Sequence, residues 1–118
     1  MARIEDLAFR QSETKSGDSD VNANSVVTIA AASGKRFCIT GLSVSASAAP
    51  GAAVSCTITD GGATIERLEI SANAFAPVVI NYNRPIQCAV NSEIVATLPA
   101  LGAGVRGSIY LRGYFTNE

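Results

Sequence analysis

The chain has 118 residues, an apolar fraction of 47%, a formal net charge of −1, no Trp and no His. That is one domain's worth of chain, able to hide roughly two thirds of its unfolded surface; with no Lys/Arg run it lacks the footprint of a nucleic-acid binder. No apolar stretch reaches the roughly 18 residues needed to cross a bilayer, and the first ten residues carry Arg3, Glu5 and Asp6 where a signal peptide needs its apolar segment, so a chain assembled in the cytoplasm and not bound to membrane is expected.

Residues 1–23 differ from the rest. Glu5, Asp6, Glu13, Asp18 and Asp20 stand against Arg3, Arg10 and Lys15, and residues 11–24 are nearly all polar. Such a composition does not bury enough apolar surface to order itself alone. Ile4, Leu7, Ala8 and Phe9 nevertheless form a small apolar cluster ahead of it. The reading is an extended arm, polar in its middle and adhesive at its tip through Arg3, Ile4, Leu7, Phe9 and Arg10; a frayed terminus is the alternative.

From residue 24 a β-pattern takes over. Val26, Val27, Thr28 and Ile29 form a first run, and Gly34 opens a turn. In the second run, 36–46, the apolar phase passes from Phe37 and Ile39 to Leu42 and Val44 across Gly41, which predicts a bulge or a strand bent between two sheets. An Ala/Ser loop around Pro50-Gly51 follows. Val54, Cys56 and Ile58 then alternate strictly with Ser55, Thr57 and Thr59, a half-buried antiparallel strand. Asp60-Gly61-Gly62 supplies residues that tolerate φ > 0, so 64–70 pairs back as a hairpin with Arg67 and Glu69 outward.

Residues 75–81 read as a short strand at a sheet edge or with Pro77 at its start, because proline cannot donate to a ladder, and Tyr82-Asn83-Arg84-Pro85 as a turn. Ile86, Cys88 and Val90 alternate again, Asn91-Ser92 turns, and Ile94, Ala96 and Leu98 give the seventh run. In the last run, 105–115, Val105, Ile109, Leu111 and Phe115 take one face and Arg106, Ser108, Tyr110, Arg112 and Tyr114 the other. A helix has room only at 4–9 or 71–74. Eight such runs predict an all-β sandwich over 24–118, with an eight-stranded jelly roll favoured by the count.

Reactive chemistry is sparse. Ser–His and Cys–His pairs are impossible without His. Cys38, Cys56 and Cys88 fall one per run, without paired zinc-ligand spacing, and read as buried free thiols. Glu66 and Glu69 point to opposite faces of one strand, Asp60 reads as a turn residue, and no glycine pair precedes a helix as in a phosphate loop. No catalytic, metal or cofactor-binding residue is assigned, and no enzyme is expected. The best candidate surface is the face carrying Arg106, Tyr110, Arg112 and Tyr114, echoed by Tyr82 and Arg84, since Tyr and Arg are enriched where proteins bind one another. The same pattern fits a solvated cross-strand ladder.

The run VVTIAAASGKRFCITGLSVS, at 26–45, and the following CTITDGGATI resemble small jelly-roll proteins from the structural modules of tailed bacteriophages. The likeness is one of pattern over 24–115. It implies a virion component: a capsid decoration or cement protein, a head fibre or a tail part, often trimeric. On that resemblance the chain would self-associate as a homotrimer and bind the major capsid protein on the capsid surface, with the arm as attachment element. A carbohydrate- or receptor-binding jelly-roll module of a phage fibre or tail is the alternative, for which exposed tyrosines such as Tyr82 would serve as a platform.

Overall fold

A computed structural model describes residues 11–18, 23–71 and 77–117. Within them the chain is all-β, two antiparallel four-stranded sheets packed face to face. The strands are β1 (Gln11–Asp18), β2 (Ser25–Ile29), β3 (Lys35–Ala46), β4 (Val54–Asp60), β5 (Ala63–Ile70), β6 (Val78–Val90), β7 (Ile94–Leu98) and β8 (Gly107–Asn117). The front sheet runs β1-β8-β3-β6 and the back sheet β2-β7-β4-β5. Among the described strands only β4 and β5 are both consecutive in the chain and adjacent within a sheet, so the chain repeatedly crosses from one layer to the other.

The alternation read from the sequence decides which side chains meet between the layers. Phe37, Ile39, Leu42 and Val44 of β3 and Ile109, Leu111 and Phe115 of β8 form the front half of the core. Val27, Ile29, Cys56, Ile58, Ile70, Ile94, Ala96 and Leu98 form the back half, with Leu101 and Val105 closing one end. Phe37 and Phe115 meet edge to face, ring centroids 5.1 Å apart, a geometry that aromatic quadrupoles favour. All three cysteines are free and buried, and Cys56 and Cys88 belong to the core cluster.

The bulge expected in the second run is present. Both β3 pairings slip between Ile39 and Gly41, which returns Leu42 and Val44 to the core after Phe37 and Ile39. Gly61 (φ 59°) and Gly62 (φ 94°) make the two-residue turn between β4 and β5, and Asn91 (φ 59°) turns β6 into β7.

Two expectations are corrected. Residues 78–81 and 86–90, expected in two separate runs, belong to one strand, β6, so the described residues of 24–118 contain seven strands rather than eight. Tyr82-Asn83-Arg84-Pro85 does not reverse the chain: Asn81 pairs with Gly41 and Ile86 with Ile39, so the four residues are accommodated as a bulge on an edge strand, where Pro85 costs no central ladder bond. A further strand, β1, comes from the segment expected to be arm, where an unbroken ladder to β8 supplies the order that its composition alone does not. Of the short helices considered at 4–9 and 71–74, all but Ser71, which is in neither helix nor strand, lies outside the described residues.

Candidate functional site, the outer face of the front sheet

Alternation along β8 buries Ile109, Leu111, Gly113 and Phe115 and turns Ser108, Tyr110, Arg112 and Tyr114 away from the core. Across the ladder Tyr110 pairs with Ser43, and Ser43 with Val79 on β6. Tyr110 is 46% exposed and Val79 56%. Small residues on β3 therefore lie between two large exposed side chains.

The next row is Arg112, Gly41 and Asn81. The Arg112 guanidinium crosses the backbone of β3 at Gly41, and its Nη2 donates to Asn81 Oδ1 at 3.0 Å. A Cβ on Gly41 would stand 2.5 Å from that nitrogen, so a residue without a side chain is what lets the arginine lie flat. Arg112 Nε is buried with no hydrogen-bond partner among the described residues. Half-buried Tyr114 pairs with Cys38, and Arg36 Nη1 reaches Gln87 Oε1 at 3.3 Å. Strands β3, β6 and β8 contain Lys35, Arg36, Arg84 and Arg112 and no carboxylate.

Of the interface residues expected from sequence, Tyr110, Arg112 and Tyr114 come together on this face. Arg106 is exposed just ahead of β8 and extends the β3–β8 ladder: its N–H donates to Ser47 Oγ and its carbonyl accepts the Ser47 N–H, both at 2.9 Å. Arg84 is exposed in the β6 bulge. Tyr82 is elsewhere. It is half-buried against the core, and its hydroxyl donates to Glu66 Oε2 on β5 at 3.3 Å, bridging the edge strands of the two sheets. Burial first, then the Glu66 carboxylate, push its pKa up to about 12. The arm residues Arg3, Ile4, Leu7, Phe9 and Arg10 lie outside the described residues. Val79, Asn81, Arg36 and Gln87 were missed; the β6 bulge hid the alternation that would have aligned Val79 and Asn81 with Tyr110 and Arg112.

Other polar groups serve the fold. Asp60 does more than end a turn: its carboxylate accepts the Ala89 N–H at 2.9 Å and the Ser92 hydroxyl, tying β4 to the β6–β7 junction. Burial pushes the Cys56 thiol up to about 11, and burial with the nearby Asp60 charge pushes Cys88 up to about 12, which keeps both thiols protonated and unreactive at neutral pH. Among the described residues no three metal-ligating side chains come together.

Neither a protein family nor a curated protein sequence matches the chain, so the resemblance to tailed-phage virion proteins has no support from a matching family. Among solved structures it is similar to a carbohydrate-binding module, CBM36, in complex with calcium and xylotriose (TM-score 0.44, 13% identity, covering 86% of this chain and 78% of that one). It is similar also to the CBM36-1 domain of a multidomain xylanase from the hindgut metagenome of Trinervitermes trinervoides (0.43, 14%, 80% and 72%). A third likeness is to the virus-like particle of extra small virus from the giant freshwater prawn Macrobrachium rosenbergii (0.35, 17%, 92% and 80%). At such low scores and identities these likenesses assign neither a family nor an activity.

Proposed function

We propose that the sandwich is a jelly roll and that the chain is a structural virion protein, a capsid decoration protein of a tailed phage that joins subunits through the outer face of its front sheet. The strand order β1-β8-β3-β6 over β2-β7-β4-β5 supports the first half, because it is what two Greek keys folded onto each other produce, an architecture used by viral capsid and lectin domains. The observation that carries the second half is the face itself. Tyr110, Arg112, Tyr114 and Val79 stand together on a rigid sheet, with no carboxylate on the three strands beneath them.

Tyrosine and arginine give large contact area and directional donors, and an arginine-bearing face favours an acidic partner. Copies of the chain join as a trimer on the capsid surface, with residues 1–10 as the attachment element to the major capsid protein. Linking neighbours this way adds effective concentration to each weak contact. The reading assigns binding to the chain and no turnover.

The test is co-sedimentation with undecorated heads of the phage that encodes the chain. Saturable binding that weakens as salt rises, and is lost in Arg112→Ala, supports the proposal. Absence of binding overturns it, and saturable binding to a glycan array abolished by Tyr110→Ala moves the reading to the carbohydrate-binding alternative.

A further inference from the structure

Strand β1 is unlike the other seven. A strand retained in a sandwich sets apolar residues on its core face, as β2, β4 and β7 do with Val27 and Ile29, Cys56 and Ile58, and Ile94, Ala96 and Leu98. The sequence of β1 is QSETKSGD, with no apolar side chain at all. Its register sets Gln11, Glu13, Lys15 and Gly17 opposite Phe115, Gly113, Leu111 and Ile109, the buried series of β8. The strand adds no apolar side chain to the core, and among the described contacts it is held by the backbone ladder and an anchor. The anchor is Gly17, whose carbonyl accepts the Ser25 hydroxyl and which packs so closely on β2 that a Cβ there would lie 2.7 Å from the Val26 carbonyl oxygen.

The edge that receives β1 is equally distinctive. The β1–β8 ladder runs for eight pairs without a slip, whereas both pairings of β3 and that of β4 with β5 are bulged. A straight, unbulged edge is a template for any strand of matching register. We propose that β1 is an exchangeable strand: in the assembly, β1 of one copy occupies the β8 edge of a second copy. Every hydrogen bond and the Gly17 anchor are re-formed identically between copies, so exchange sacrifices no contact, and leaving the home sheet exposes no apolar side chain of β1. The second copy is the occupant because the fit of this segment to this edge, residue by residue, is what the fold displays. The inference rests on the assembly reading above and names the segment that would carry it.

The experiment uses the full chain in two forms. One carries Ser16→Cys modified with a nitroxide; the native thiols are buried and stay unlabelled. The other is unmodified and 15N-labelled. The two are co-refolded in equal amounts. Exchange places the nitroxide of one chain beside Tyr110 of the other, the partner of Ser16 in the ladder, so in the 15N chain the amide signals of Ile109, Tyr110 and Leu111 lose most intensity. The loss decays through Ser43 to Val79 with distance from the β8 edge, a gradient that contact through the outer face alone does not produce, and the β4–β5 hairpin keeps its signals. Unchanged signals at Ile109, Tyr110 and Leu111, or loss spread over both regions, overturns the proposal. Head binding measured on the same sample separates the two readings: unchanged signals with binding retained remove strand exchange and leave the assembly function standing.

Discussion

Replacing Asp60 by Ala removes both hydrogen bonds that fasten the end of β4 to β6 and to the following turn, the 2.9 Å bond from the Ala89 N–H and the bond from the Ser92 hydroxyl. Bonds to a charged acceptor contribute about 1.5–3 kcal/mol each when shielded. Here Asp60 and Ser92 are half-buried and Ala89 is exposed, so water replaces part of what is lost and the pair together contributes about 2 kcal/mol. For a domain of this length that corresponds to a fall in Tm of about 8 °C. Ser92→Ala breaks one of the two bonds and costs about 1 kcal/mol. Because both substitutions break the same bond, the double variant loses no more than Asp60→Ala alone, a coupling readable in a double-mutant cycle by urea unfolding. A loss below about 0.5 kcal/mol for Asp60→Ala, within the range of an ordinary surface change, or strict additivity with Ser92→Ala, refutes the assignment of Asp60 as a cross-strand tie.

Three groups make stability fall in alkali. Cys56, Cys88 and Tyr82 have folded pKa values raised from 9.0, 9.0 and 10.0 to about 11, 12 and 12, so the folded state holds protons that the unfolded chain releases. Their contribution is complete below pH 9 and is lost as pH rises toward 12; the urea midpoint should be level from pH 7 to 9 and decline above it, and a midpoint still level at pH 11 contradicts this. Gly113→Ala places a Cβ 2.6 Å from the Phe37 ring and against the Cys38 carbonyl oxygen. Because the carbonyl is fixed in the sheet, the substitution should cost about 2–3 kcal/mol in denaturant unfolding, and a neutral result would mean that β8 and β3 are not packed as described.

The back sheet was almost fully legible because its strands obey a period of two between strong turn signals. Val54, Cys56 and Ile58 alternate and Asp60-Gly61-Gly62 turns, so the hairpin of β4 with β5 follows from these; the slip between Ile58 and Thr59 that sets Thr57 opposite Arg67 does not. The β3 bulge was legible too, since one extra residue beside a glycine is what shifts the apolar phase of a strand while both halves still face the core. What misled was local turn chemistry inside β6. Asn83, Arg84 and Pro85 look like a reversal, yet an edge strand absorbs a bulge and a proline that a central strand would not, and its partner β3 supplies the order. β1 was illegible for the opposite reason. A strand with no apolar residue carries no periodic signal, and only the free edge of β8 determines that it pairs. Within the candidate site, the regular alternation of β8 placed Tyr110, Arg112 and Tyr114 correctly, whereas the irregular β6 attached Tyr82 to a face it does not share, because its phase there turns the ring toward the core and Glu66.

The central claim, that the outer face of the front sheet joins subunits, is tested most directly by sedimentation velocity on the parent chain and on Tyr110→Ala/Tyr114→Ala. Both side chains point away from the core, so the variant should stay folded, which a cooperative urea transition checks. The account predicts an oligomeric parent and a variant sedimenting as the 12.1 kDa monomer. A variant that sediments with the parent's oligomer, or a parent that is itself monomeric at every concentration, contradicts it.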